Sequence, residues 1–406
     1  MVSVGIDWAR TAAQHFVILT EDGQSVKEEG TFPRSVEGIN AFIERIGGHE
    51  PDPSNVRIGI DHKGGLMTTM LMAETFEVYG INPKSASRAR EMFRPAGGKD
   101  DSIDAFVHAK MVHTGCHGAN ALRPQDGCDR QLLRLMRLRK SQVDSRSQQI
   151  QKLRNMLSER APILQDLATC MDLQWVIDLL QQCPLDQDLH DWHGNSLNAF
   201  IKDHSMHRKT EKKIRRAAQR DPMRYEMQEA ETYRLQIRSL LEMVRSFTEQ
   251  IQQLEERISD LQDDQAGREI FESLPTNSEM TITGLCLAFG EHRENVPSWR
   301  SYAAFYGVVP VTEESGTYRE VRKRVAYDRV IHQCFINLAD SSRQRGDCWA
   351  SDYYRKKRNE CKGHHHALRC VAQKWVKILH AMWRNRSLYD EKFHASRRSQ
   401  QRRAAA

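Results

Sequence analysis

The sequence predicts an α/β domain at the N-terminus, then a long α-helical coiled-coil arm, then a mostly α C-terminal domain. Three patterns predict it. Strand-like stretches open the chain and then alternate with helical ones up to about residue 115. Apolar residues recur in steps of four and three from Tyr233 to Leu261, the spacing of a coiled-coil seam. Beyond residue 267 helical stretches predominate, broken by Pro and Gly.

Taken in order, residues 2–8 alternate as a short strand in which Asp7 is the closing residue. Stretches 14–20 and 25–31 read as a second and third strand, joined as a hairpin through Thr20-Glu21-Asp22-Gly23. Ser35 caps a helix over 35–46. Residues 56–60 read as a buried strand with Asp61 at its end, 65–79 as a helix, 81–83 as a short strand end and 102–114 as another helix. A polar break at 123–127 contains Pro124 and precedes a long helix over 128–160. In that helix Met136, Val143, Ile150 and Leu157 recur every seven residues, while Arg139 and Arg146 interrupt the seam. The interruption signals either weak register control or contact with nucleic acid. Residues 166–207 read as a small helical insert. The run 208–220, RKTEKKIRRAAQR, is either a solvated helix face or a nucleic-acid contact through residues such as Arg215 and Arg216. The seam at 233–261 needs a partner: the 128–160 helix, another protomer, or both, in an antiparallel arm. Stretches 281–289 and 299–306 follow in a mostly helical region, and helices are expected at about 328–345, 348–358 and 364–386. The expected boundaries are 1–122, 123–266 and 267–395, with a basic tail at 396–406.

Composition narrows the class. A chain of 406 residues suits about two to four domains, and 39% hydrophobic residues can build real cores. The net charge of +6 and a pI near 8.8 are mild, but Lys and Arg are clumped, which points to a polyanionic partner. Nine Cys without a CxxC pair argue for reduced thiols. No secretory signal or membrane span is visible. The expected location is cytoplasmic.

Residues 97–110, GGKDDSIDAFVHAK, carry the sharpest chemical signal. Asp101 and Asp104 stand three apart at the start of a helical pattern, so they share one face. Ser102, Asp100 or Asp101 can cap that helix. Two carboxylates on one face repel unless a cation lies between them. Oxygen-only ligands suit Mg²⁺, with Mn²⁺ as a substitute. The alternative is acidic enrichment of a helix's first turn, which complements the dipole and needs no metal.

Three antiparallel strands followed by alternating helices and strands is the order of an RNase H-like domain. On the motif VGIDWA, the acid after the fourth strand and the segment K-x-D-x-x-D-A, residues 1–115 resemble the RuvC-like domain of the bridge-RNA-guided DEDD transposases, the insertion sequence 110 family. The matching residues are Asp7, Asp61, Asp101 and Asp104, with Lys99 ahead of the last pair. The family usually carries Glu at the second position, where this chain has Asp61-His62-Lys63-Gly64. The resemblance implies that the four acids hold one or two divalent cations, which would neutralise a phosphodiester and stabilise its entering and leaving oxygens.

The C-terminal part resembles the transposase domain of the same family through Phe305-Tyr306-Gly307-Val308-Val309-Pro310 and then Ser315-Gly316. Where the family has a Gly-rich turn after an earlier Pro, this chain reads PTNSEM. The matched position makes Ser315 the expected nucleophile, on a tight turn that lets phosphate approach the backbone. Arg319, Arg322, Lys323 and Arg324 follow as candidate phosphate clamps. The triplet His364-His365-His366 reads as a basic loop-to-helix junction rather than a metal site. His366-x-x-Arg369 with Trp383 and Tyr389 mimics a tyrosine-recombinase pattern at short spacing.

The resemblance implies an RNA-guided DNA recombinase of an insertion element: Mg²⁺ at the acids, a covalent phosphoserine at Ser315, a bridge RNA that pairs with donor and target DNA, and a homo-oligomer, expected as a tetramer, acting on the prokaryotic nucleoid. Two other readings stand beside it. One is a RuvC-like nuclease or Holliday junction resolvase in which the metals activate water. The other is a non-catalytic nucleic-acid scaffold.

Overall fold

Val2–Asp7 (β1) is the middle strand of a five-stranded mixed sheet. Gln14–Leu19 (β2) and Val26–Phe32 (β3) add antiparallel on one side. The helix Val36–His49 (α1) crosses back to Val56–Ile60 (β4), parallel to β1 on the other side. Ser35 caps α1, its side chain accepting from the Gly38 amide at 3.1 Å. Leu66–Ala73 (α2) then leads to Glu77–Gly80 (β5), parallel to β4. Pro83–Phe93 (α3) and Asp101–His113 (α4) follow. The strand order is β3-β2-β1-β4-β5. This is a computed structural model, and it describes all residues except 10–12, 63, 94–99, 117–120, 123–126, 172, 193, 263–264, 266, 291–297, 317, 347 and 394–406, with the side chains of 127 and 128 also outside the description.

One expectation needs correction here. The helix expected over 65–79 ends at Ala73, Thr75 takes a left-handed φ of 66°, and the chain re-enters the sheet as β5. The apolar run is continuous across helix and strand, so periodicity alone does not mark the break. The strand end expected at 81–83 is therefore the exit from β5, and the sequence pattern predicts no helix where α3 stands.

The sheet is covered on both faces. Ile39, Phe42 and Ile46 of α1 and Met67 and Leu71 of α2 pack with Val4, Ile6, Ile58 and Ile60 on one face. On the other face Val17 and Leu19 meet Ala105 and Ala109 of α4, and Val107, Met111 and Val112 pack with Ala86 and Ala89 of α3. Burying both faces removes apolar area from water at about 25 cal/mol per Å².

The chain divides into two compact units, Met1–Asp126 and Gly127–Ala406. The second opens with Gly127–Arg160 (α5). Four short helices follow: Pro162–Leu167 (α6), Gln174–Gln182 (α7), Asp186–His190 (α8) and Gly194–Asp203 (α9). Arg208–Ala218 (α10) and Met227–Gln262 (α11) complete this part. α5 and α11 pair antiparallel: Arg139 donates to Glu255 at 2.7 Å, Arg146 reaches Thr248 at 3.5 Å, and Arg160 lies over the Tyr233 ring. The two arginines that interrupt the seam thus bond the facing helix, which fixes its register. Asp186 accepts from the Ile163 and Leu164 amides at 3.0 and 2.9 Å, so the buried carboxylate caps α6 and ties the insert together.

Beyond the pair lie Arg268–Glu272 (α12), Glu279–Phe289 (α13) and Trp299–Phe305 (α14), then a hairpin of Val311–Ser315 (β6) and Tyr318–Arg322 (β7). Arg329–Gln344 (α15), Trp349–Asn359 (α16) and His364–Asn385 (α17) close the unit around Trp375, Phe335 and Phe271. Among the described residues no helix is long and apolar enough to cross a membrane, and no cysteine is paired.

Candidate active site

Two glycines decide where the acids sit. A β-carbon on Gly5 would fall 1.9 Å from the Ala105 carbonyl oxygen, and one on Gly59 would fall 2.7 Å from that of His108. α4 therefore rests its backbone on β1 and β4, where only Gly leaves room. Its direction is fixed by two contacts. The Ser3 hydroxyl meets His113 Nδ1 at 3.3 Å, and His108 Nδ1 meets the Ile6 carbonyl at 2.9 Å. α4 thus runs opposite to β1, and its N-terminus lies where β1 ends.

Strand alternation sets the acids' side. Gly5 and Gly59 are register partners, and Asp7 and Asp61 follow two residues later on the same face. That is the face α4 covers. The edge is tied across the strands: the Trp8 amide donates to Asp61 Oδ1 at 3.2 Å, and the Trp8 and His62 rings stack at 4.1 Å and 8°. His62 is thus a stacking partner. Asp101 comes within 3.9 Å of His15, the register partner of Asp7. Asp104, one turn before His108, receives Arg90 Nε at 2.8 Å and is also met by Arg90 Nη2. The cap of α4 is Asp100, which accepts from the Ile103 amide at 2.8 Å.

All four acids therefore occupy one edge of the first unit, at the carboxyl ends of β1 and β4. Their donor set, carboxylate oxygen throughout, has the chemistry of a hard divalent-cation site. Each of the last three is engaged with a protein partner, and Asp7 also has one. Among the described residues no three His, Cys, Asp or Glu side chains are gathered closely enough to hold an ion. Lys99 lies outside the described residues.

Sequence reasoning did not single out Arg90 or His108. His108 is 2% exposed, and burial lowers its pKa despite the Ile6 carbonyl and the nearby Asp61 and Asp104 charges. It stays a neutral hydrogen-bond donor under the acids. Its position four residues after Asp104 was visible as a shared helix face. Arg90 has no such signal, because its pairing is tertiary.

In the second unit Ser315 ends β6 and is the register partner of Tyr318, the first residue of β7. Gly316 sits at φ 57°, the left-handed region that tight hairpin turns require. Ser315 is exposed, and its hydroxyl has no hydrogen bond among the described residues. Alternation puts Ser315 on one face with Glu313, Tyr318, Glu320 and Arg322. There Arg322 donates to Glu320 at 2.6 Å and lies 3.6 Å from Glu313. The Arg322 guanidinium and then the Tyr318 hydroxyl hold Glu320 down to about 2.

The candidate clamp consequently divides. Arg322 is already neutralised by two glutamates, and Arg319, the cross-strand register partner of Glu314, lies on the opposite face from Ser315. Lys323 is exposed beyond β7, and Arg324 is half-buried with its Nε lacking a partner. Arg215 donates to Glu211 at 2.9 Å, whereas Arg216 is exposed. His364 Nδ1 meets the Tyr354 hydroxyl at 2.7 Å. Burial raises the Tyr389 pKa, and its hydroxyl donates to Glu391 at 2.6 Å, so it is poorly suited to act as a nucleophile.

A 3-2-1-4-5 mixed sheet with acids at two strand ends and at the start of a covering helix defines an RNase H-like domain of the DEDD class. The comparisons carry this further. A transposase family model, the DEDD transposase of IS110, matches residues 4–162, and the model described as "Transposase IS116/IS110/IS902 family" matches residues 268–355. The chain belongs to the IS110 family of DEDD transposases. It is 22% identical over 399 residues to the "Mini-circle putative transposase for IS117" of Streptomyces coelicolor, covering 96% of this chain and 95% of that protein. It is also 28% identical over 209 residues to "Putative transposase y4uE" of Sinorhizobium fredii, covering 50% of this chain and 57% of that protein.

Proposed function

We propose that this chain cleaves and rejoins DNA as the recombinase of an insertion element, using the acids of the first unit and Ser315 of the second. The observation that carries this reading is the placement of Asp7, Asp61, Asp101 and Asp104, drawn from three separate stretches, along one sheet edge of a chain in a transposase family. Those four residues would hold Mg²⁺ or Mn²⁺, which supplies charge neutralisation at a scissile phosphate. Holding it requires the four side chains to draw closer together than they stand here, and Asp104 to exchange its bond with Arg90 for the cation.

Ser315 supplies the covalent step. Its Oγ attacks phosphorus, one backbone P–O ester breaks and a serine phosphoester forms. The hydroxyl proton goes to a base, and the released sugar oxygen takes a proton. A sugar hydroxyl of the exchanged strand later attacks the phosphoserine, restoring Ser315 and a backbone ester. One phosphoester replaces another at each step, so no nucleotide hydrolysis is needed. A free Ser hydroxyl is a weak nucleophile, and activation has to reach it from outside the hairpin. A guide RNA pairing with donor and target, and a tetramer built on a coiled-coil arm from α5 and α11, complete the proposal.

Among the described residues no base is hydrogen-bonded to Ser315, and a second reading is metal-dependent hydrolysis by activated water. A suicide DNA substrate separates the two. Recombination predicts a protein–DNA adduct that survives denaturation in wild type and vanishes in Ser315→Ala. As an exposed change, that substitution should alter stability by less than about 0.5 kcal/mol. Cleaved ends with no adduct in either protein would establish hydrolysis instead.

A further inference from the structure

Between α6 and α10 runs a groove of about 320 Å³ that the proposed chemistry does not use. Its floor is apolar, formed by Ile163 and Leu167 of α6 and Ala217 of α10. Lys209, Lys212, Lys213 and Arg216 line it in steps of three and four along one face of α10, and Arg220 follows just past the helix. All five cations are exposed.

One carboxylate, Asp166, also lines the groove and is already committed. Arg220 donates to its Oδ2 at 2.8 Å, and Lys213 Nζ donates to its backbone carbonyl at 2.5 Å. Lys209, Lys212 and Arg216 make no ion pair and no side-chain hydrogen bond among the described residues. Arg215, bonded to Glu211, does not line the groove.

Like charges three and four residues apart on a helix repel. An extended polyanion laid along such a row relieves that repulsion. With a rise of 1.5 Å per residue, Lys209 to Arg220 spans roughly 16 Å, a reach that covers several successive phosphates of one strand. Among the described residues no aromatic side chain lines the groove for an unpaired base to stack on, so single-strand binding is not favoured. We infer that this face of α10 docks the phosphate backbone of duplex DNA, without regard to sequence, outside the site of strand cleavage. The inference rests on DNA being the substrate, as proposed above.

The test uses the full-length chain and fluorescence anisotropy on a duplex of arbitrary sequence in EDTA, so that metal chemistry is silent. The triple variant Lys209→Gln, Lys212→Gln, Arg216→Gln should lower the slope of log affinity against log salt. The expected loss is about 0.9 for each phosphate contact removed, or roughly 2–3 in all. Arg257→Gln, at an exposed ion pair on α11 outside the groove lining, should leave the slope unchanged, and Lys209→Arg with Lys212→Arg should keep it. An unchanged slope in the triple variant overturns the inference. So does a loss seen on an RNA hairpin and not on DNA, or one seen only against a polyglutamate peptide. Because the readout is binding without cleavage, failure here leaves the Ser315 adduct test standing, and failure of that test leaves this one standing.

Discussion

Asp104 and Arg90 form the contact on which the acid edge turns. Their side chains are 16% and 21% exposed, so the pair is largely withdrawn from water. Removing one partner leaves the other charge poorly solvated. Arg90→Gln and Asp104→Asn should each lower stability by about 1–3 kcal/mol in the absence of metal. They should part company when Mg²⁺ is added. In Arg90→Gln the freed carboxylate can bind the cation, and the melting temperature should rise with Mg²⁺ concentration by mass action. In Asp104→Asn it should not. Thermal melts across a Mg²⁺ titration check this, and equal responses from both variants would remove Asp104 from the ligand set. The sequence shows the acids because they sit on a strand end or a helix start, where local pattern is informative. It does not show Arg90, whose partner is fourteen residues away on another helix.

At the scale of elements, the sheet and α4 form one device. β1, β2 and β4 were readable because β-branched and aromatic residues alternate within clear turns. Gly5 and Gly59 were not singled out in the sequence, although a glycine inside a strand is a signal of close backbone approach. Other elements were hidden for physical reasons. β5 follows α2 through Thr75, a residue that seldom takes positive φ, with no glycine to announce the turn. α3 offers the core only Ala86 and Ala89, too small to give an apolar stripe. The β6–β7 hairpin is exposed almost throughout, so its charged cross-strand pairs leave no buried face to detect. Gly5→Ala tests the device. The added methyl collides with backbone rather than with a side chain that can rotate away, and should cost about 3 kcal/mol. A denaturant titration with no change in midpoint would show that α4 has freedom to lift.

At the scale of the whole molecule, the second unit holds two apolar cores. One gathers the C-terminal helices with Leu132, Met136 and Ile258 at one end of the α5–α11 pair, and the other wraps the insert around Leu153, Leu157, Ile237 and Leu241. The sequence made the pair visible through its heptad spacing. It did not show that α6 to α10 would form a packed body, because each of those helices is short and carries only a few anchors. The guide-RNA part of the proposal belongs to this scale. Protein purified from cells carrying its own element should bring down a discrete RNA, and nuclease removal of that RNA should abolish DNA joining while leaving the fold's melting profile intact. Joining that survives RNA removal would restrict the activity to protein-directed recombination.

The seating of α4 reaches beyond stability. The carbonyls of Ala105 and His108 rest where β-carbons of Gly5 and Gly59 would lie, so main chain, not interchangeable side chains, sets the spacing of the carboxylates. Swaps among the surrounding Val, Ile and Met residues redistribute volume without re-aiming the acids. An engineer altering this transposase has latitude throughout that greasy layer, and none at positions 5 and 59.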